Sequence, residues 1–196
     1  MPAMSRVERA FCRGSVWRRA TAAVVGTLPV DRLGRNVLEI GSGNGAIAAQ
    51  LLRDKPGIAL TATDLDPVMV ASVTRRLQAF PDASVVAADV TDLPFAEDSF
   101  DSVVSCLMLH HVVDWERAIA EVARVLRPGG AFVGYDLVRT PFASALHHLD
   151  RSPFRLLTPS ELADAGARYG LSIDVRTRMF GHVMHFATAE RPSMGG

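Results

Sequence analysis

Between residues 36 and 137, short apolar runs alternate with longer stretches of helical spacing, and this alternation restricts the fold more than any other feature of the chain. The apolar runs are NVLEIG (36–41), IALTATD (58–64), ASVVAAD (83–89), one within SFDSVVSCLML (99–109) and GAFVGYDLV (130–138). Helical periodicity fills 44–53, 66–80 and 114–126. Strands joined by helices of this length run parallel, because a tight turn can join only antiparallel neighbours. The pattern therefore predicts an α/β, doubly wound sheet with helices on both faces.

Local signals sharpen the boundaries. Asp66 and Pro67 make an N-cap and a first helical residue. Arg127-Pro128-Gly129-Gly130 reads as a helix end with a left-handed glycine cap. Thr158 and Glu161 have the spacing of a capping box. Beyond them LSIDVRTRMF and HVMHFATAE are separated only by Gly181, too close for a crossover, so this pair is expected to be antiparallel. Residues before 36 read as helix, with Val7, Phe11, Val16, Trp17, Ala20 and Val24 at mostly helical intervals.

In a doubly wound sheet, ligands bind beyond the carboxyl ends of the strands, where strand order reverses. The turn after the first strand, EIGSGNG, lies there and carries Gly41, Gly43 and Gly45. Its spacing is GxGxG, not the GxGxxG of the dinucleotide fingerprint. Glycine at such a turn permits close approach of backbone to ligand. The second strand ends in Asp64, an acid placed to accept from both ribose hydroxyls of an adenosine. The third ends in Asp89, where a carboxylate can accept from an adenine amino group, and Leu93-Pro94-Phe95 follows as an apolar wall. A glycine turn and two strand-end acids describe an adenosine site from three sides, open equally to NAD.

Composition excludes several classes. The chain has 196 residues, enough for one domain, and Lys+Arg and Asp+Glu both total 21, so charge makes no case for nucleic acid or an anionic membrane. Arg6, Arg9, Arg13, Arg18 and Arg19 read as a solvated helix face. No apolar run approaches the ~18 residues that cross a bilayer, and no secretory pattern opens the chain. Cys12 and Cys106 lie far apart with no metal-ligand spacing, so no metal site is expected, and two free thiols fit a reducing cytoplasm.

The stretches VLEIGSGNG, ATDLDPVMV, AADVTDLPFAEDSFDSVVS, LHHV and EVARVLRPGG, in this order over residues 36–137, resemble the class I S-adenosylmethionine-dependent methyltransferases. The resemblance is strongest to the small-molecule group that includes ubiquinone and menaquinone biosynthesis. It implies a Rossmann-like, seven-stranded, mostly parallel sheet with the last strand antiparallel. It also implies S-adenosylmethionine as cofactor, with Glu39 near the methionine ammonium and Gly41, Ser42 and Gly43 passing under methionine and ribose. Asp64 would take the ribose hydroxyls, Leu65 and Met69 would flank adenine, Asp89 and the Val90 backbone would hold it, and the Ser105 backbone would meet the methionine end.

The substrate end is open to more than one reading. Candidates are His110, His111, Tyr135, Asp136, Arg139, His147 and His148. A histidine can take a proton near neutral pH, and His110, His111 and Tyr135 are the catalytic candidates, although LHH also serves packing. Within a single methyltransferase domain, residues 1–35 are expected to form a helical cover, 36–137 the cofactor core, and 138–196 a lid segment, a helix and the antiparallel pair. Phe11 and Trp17, with Phe142, Leu146 and Phe154, either line an apolar acceptor pocket or pack the cover on the sheet. The expected partner is a small molecule, with room for a second subunit, as in a homodimer. The alternatives are a non-catalytic cofactor-binding partner that activates another methyltransferase and an NAD-dependent oxidoreductase, the latter disfavoured by the GxGxG spacing.

Overall fold

The computed structural model describes residues 28–140, 154–178 and 181–188. Seven strands form one sheet in the order β3-β2-β1-β4-β5-β7-β6. They are β1 (Asn36–Ile40), β2 (Ala59–Asp64), β3 (Ala83–Ala87), β4 (Phe100–Cys106), β5 (Leu126–Leu137), β6 (Ile173–Arg178) and β7 (Val183–Thr188). The first five run parallel, while β7 is antiparallel to both β5 and β6. The helices among the described residues are α1 (Ala46–Asp54), α2 (Pro67–Leu77), α3 (Trp115–Val125) and α4 (Pro159–Arg168). This is the doubly wound sheet that the alternating pattern predicts, and order reverses on either side of β1.

Side-chain alternation divides the core between two faces. On one face Val37, Leu60, Val104 and Val133 pack against Ala48, Ala49 and Leu51 of α1 and Val73 and Leu77 of α2. On the other, Leu38, Ile40, Val103 and Phe132 pack against Trp115, Ile119 and Val122 of α3 and Leu162 of α4. Both halves of the crossover logic are thus realised as buried apolar surface.

The caps behave as local chemistry dictates. Asp66 accepts from the Val68 N–H at 2.8 Å with Pro67 opening α2. Thr158 and Glu161 form a reciprocal capping box on α4. Two expected boundaries move. The third strand stops at Ala87, because the Asp89 carboxylate takes the Thr91 N–H (2.9 Å) and hydroxyl (2.8 Å) and turns the chain. The RPGG run is not the cap of α3: Leu126 is already extended and paired with Phe100, while Ala131 pairs with Ser102. Residues 127–130 therefore loop out of a strand that has begun. Arg127 pins this loop by donating to the Asp98 carbonyl and the Asp101 carboxylate.

The expected covers fall mainly outside the described residues: Phe11, Trp17, Phe142, Leu146, His147 and His148 all lie there. Arg139 is described, and its guanidinium reaches Glu161 and the Leu156 carbonyl. That pairing ties the end of β5 to the start of α4.

Candidate cofactor site

The glycine turn leaves β1 at the point where strand order reverses. Gly41, Gly43 and Gly45 have φ of +65°, +55° and +74°, so the turn is built from backbone that side chains resist. The three serve different ends. A Cβ on Gly41 would stand 2.0 Å from the Met108 side chain, so this glycine lets the β4 exit pack under the turn. A Cβ on Gly43 would meet nothing within 4 Å, and that side of the turn faces open space.

Asp64, at the end of β2, braces the turn. One carboxylate oxygen accepts from the Gly43 N–H at 2.8 Å and the other from the Asp66 N–H at 2.9 Å. A carboxylate has about four lone-pair sites, so each oxygen keeps capacity for a further donor such as a ribose hydroxyl. Burial pushes the Asp64 carboxyl up, against the lowering effect of these backbone donors.

Glu39 is the unusual residue. It is 1 % exposed, and its Oε2 has no hydrogen-bond partner among the described residues. Burial raises its pKa to about 8, with the Asp64 charge adding to the rise and the Ser42 hydroxyl opposing it. On the same face, at the ends of the next two strands, stand Cys106 and Tyr135, which pair across β4 and β5. Burial raises both, so the thiol and the phenol stay protonated. The Tyr135 hydroxyl and the Ser105 Oγ are likewise buried without partners. Orphaned buried polar atoms are uncommon and costly, and here they stand near the carboxyl ends of three adjacent strands, Glu39 and Tyr135 on one face of the sheet and Ser105 on the other.

Of the remaining predicted cofactor residues, Leu65 is 37 % exposed beyond β2, whereas Met69 and Val90 are buried. Asp89 lies past β3 with its carboxylate engaged by Thr91.

The histidines sit on the other face of the sheet's end. His110 belongs to a short 3-10 turn, Leu109–His111, and is buried. Its Nδ1 lies 2.5 Å from Asp136 Oδ1. Asp136 also accepts from the Leu109 N–H (2.8 Å) and the Leu137 N–H (2.7 Å). Burial would raise the Asp136 carboxyl, but the His110 charge and hydrogen bond outweigh it and hold the group below the usual carboxylate range. An ionised Asp136 makes Nδ1 the donor in this pair. The His111 ring is tilted on that of His110 at 4.0 Å.

A family model described as a methyltransferase domain matches residues 38–134, from β1 to the middle of β5. Residues 38–134 belong to the methyltransferase-domain family. Among curated relatives, the demethylmenaquinone methyltransferase of Beutenbergia cavernae is 38% identical over 128 residues, 65% of this chain and 50% of that protein. That of Mycolicibacterium paratuberculosis is 38% identical over 117 residues, 60% of this chain and 46% of that protein. The chain thus spans about half the length of the curated relatives it matches. In fold, it superposes on a chain of the complex between the Haloferax volcanii Trm112 methyltransferase activator and a methyltransferase. The TM-score is 0.75 at 20% identity, covering 96% of this chain and 95% of that one.

Within this domain, several features of the site carry no sequence signal. Met108 under Gly41 reads in sequence as one more apolar residue of a strand. Leu107 adopts φ +52°, a conformation rare for a leucine, and its N–H bonds the Tyr135 carbonyl at 2.9 Å. This kink lets β4 end abruptly and turns Met108 back toward the glycines. Asp136 is legible as a strand-end acid, but two of its donors, Leu109 and His110, come from a segment that only the fold brings to it.

Proposed function

We propose that the chain transfers the methyl group of S-adenosylmethionine to a small, ring-containing acceptor of the quinone type named in its relatives. The observation that carries the reading is the buried Glu39 carboxyl, whose Oε2 has no partner among the described residues, beside a glycine turn that leaves open space at Gly43. A site of this kind suits a ligand bearing an ammonium group and an elongated body laid along backbone. Glu39 receives the ammonium, and Gly41, Ser42 and Gly43 form the bed. Asp64 accepts from the ribose hydroxyls, and Leu65 and Met69 flank adenine. Asp89 with the Val90 backbone holds the adenine edge, and Ser105 meets the methionine end.

When bound, the cofactor supplies an electrophilic methyl group on a sulfonium, so the protein's main task is alignment of the acceptor. His110, held through Nδ1 by Asp136, takes the acceptor's proton at Nε2. His111 packs against the His110 ring and sets its orientation from the other side. Tyr135 stays neutral and acts as a hydrogen-bond donor.

Incubation with methyl-labelled cofactor and demethylmenaquinone, or a short-chain analogue, tests the reading. Label is expected in the quinone, and His110→Gln is expected to lower kcat by about 100-fold with cofactor affinity retained. Cofactor binding without label transfer would reject this acceptor class.

A further inference from the structure

We infer that the site exchanges a proton for its cofactor: Glu39 is a neutral carboxylic acid in the ligand-free chain and releases its proton to solvent when the ligand's ammonium seats against it. This inference rests on the cofactor reading above and adds the protonation state in which the site waits.

The geometry leaves little choice. Glu39 is 1 % exposed, and among the described residues its Oε2 has no partner and the groups that act on it are neutral or acidic. Those groups are Asp64 from β2, Cys106 from β4, Tyr135 from β5, the Ser42 hydroxyl of the turn and the Ala48 N–H of α1. An isolated carboxylate buried here would carry the full desolvation penalty and repel Asp64, so the group neutralises instead. Its pKa of about 8 agrees with that arrangement. An ammonium at Oε2 inverts the balance, because it supplies the missing partner and the missing charge together. The step is balanced: the carboxylic acid and the ligand ammonium become a carboxylate–ammonium pair, and one proton leaves to solvent. Tyr135 and Cys106 keep their protons throughout and contribute only dipoles.

The consequence is a pH-dependent affinity. With Glu39 at about 8 and an α-amino group near 7.8, binding tightens about eightfold between pH 6 and pH 7 and releases about 0.8 proton per ligand at pH 7.

Calorimetric titration of the full chain with S-adenosylhomocysteine at pH 7, in phosphate and in Tris, reads this directly. Those buffers take up protons with very different heats, so the observed enthalpies should differ by about 0.8 of the difference in buffer ionisation heat. Glu39→Gln should bind more weakly and lose this release, leaving only the uptake of about 0.1 proton by the ligand's amine. Binding of the wild-type chain with equal enthalpies would overturn the inference while leaving the cofactor reading intact. Retention of the buffer dependence in Glu39→Gln would overturn it too, by assigning the proton to another group. Absence of binding in both buffers would overturn the cofactor reading and the inference with it.

Discussion

At the residue scale, Glu39 sets function against stability. In the folded chain it titrates near 8, against an ordinary value of 4.5. Between these values the unfolded chain gives up a proton that the folded chain keeps, so stability falls as pH rises from 4.5 to 8. At pH 7 the accumulated cost is about 3 kcal/mol. Glu39→Gln removes the titration and keeps the shape. The ligand-free variant is therefore expected to be more stable than the wild type at pH 7 by up to about 3 kcal/mol, with the advantage gone below pH 4.5. Urea melts at pH 4, 5.5 and 7 check this, and a variant of unchanged stability at pH 7 would mean that Glu39 is ionised in the folded state. The type of residue 39 is plain in the sequence, yet nothing there says that its Oε2 lacks a partner among the described residues. That fact comes from β1, β2, β4 and β5 closing around it.

At the element scale, the glycine turn joins two requirements that sequence presents as one. GxGxG is legible as a strand–helix turn open to a ligand, but the three glycines look alike until β4 and α2 are in place. Gly41 is needed because Met108 lies against it, and Gly45 because Val73 does. Gly43 has no such neighbour. Gly41→Ala should then destabilise the chain by about 2–4 kcal/mol, adding a left-handed alanine to an overpacked contact. Gly43→Ala should cost only about 1 kcal/mol of stability, yet its methyl group enters the space reserved for ligand. Denaturant midpoints and calorimetry with S-adenosylhomocysteine should separate the two, Gly43→Ala losing at least about tenfold in affinity while remaining folded, the equivalent of some 1.4 kcal/mol. Equal effects on both properties would refute the division of labour.

At the scale of the whole molecule, the sheet keeps two apolar layers apart. Phe132 packs with Phe186 on the α3–α4 face, their ring centroids 4.9 Å apart, and Leu51 of α1 is buried on the opposite face. Phe132→Ala is expected to cost about 3–5 kcal/mol and Leu51→Ala about 2–5 kcal/mol. Because the two belong to different layers, the double variant should show the sum within about 0.5 kcal/mol in equilibrium unfolding. A larger deviation would mean that the sheet transmits packing strain from one layer to the other.

The sequence by itself determined the alternation of strands and helices, hence a parallel doubly wound sheet, and it determined the antiparallel close, because Gly181 leaves no length for a crossover. It also placed Glu39, Asp64 and Asp89 at or just beyond strand ends. These are consequences of period, spacing and cap chemistry, all local along the chain. Folding brought about the rest: residues 127–130 loop out of a strand already begun, Met108 lies under Gly41, and Leu109 and His110 reach Asp136. The same holds for the burial of Glu39 and for its Oε2, which has no partner among the described residues. Partnership and burial depend on which strands become neighbours, and register between distant segments is written in no single stretch of residues.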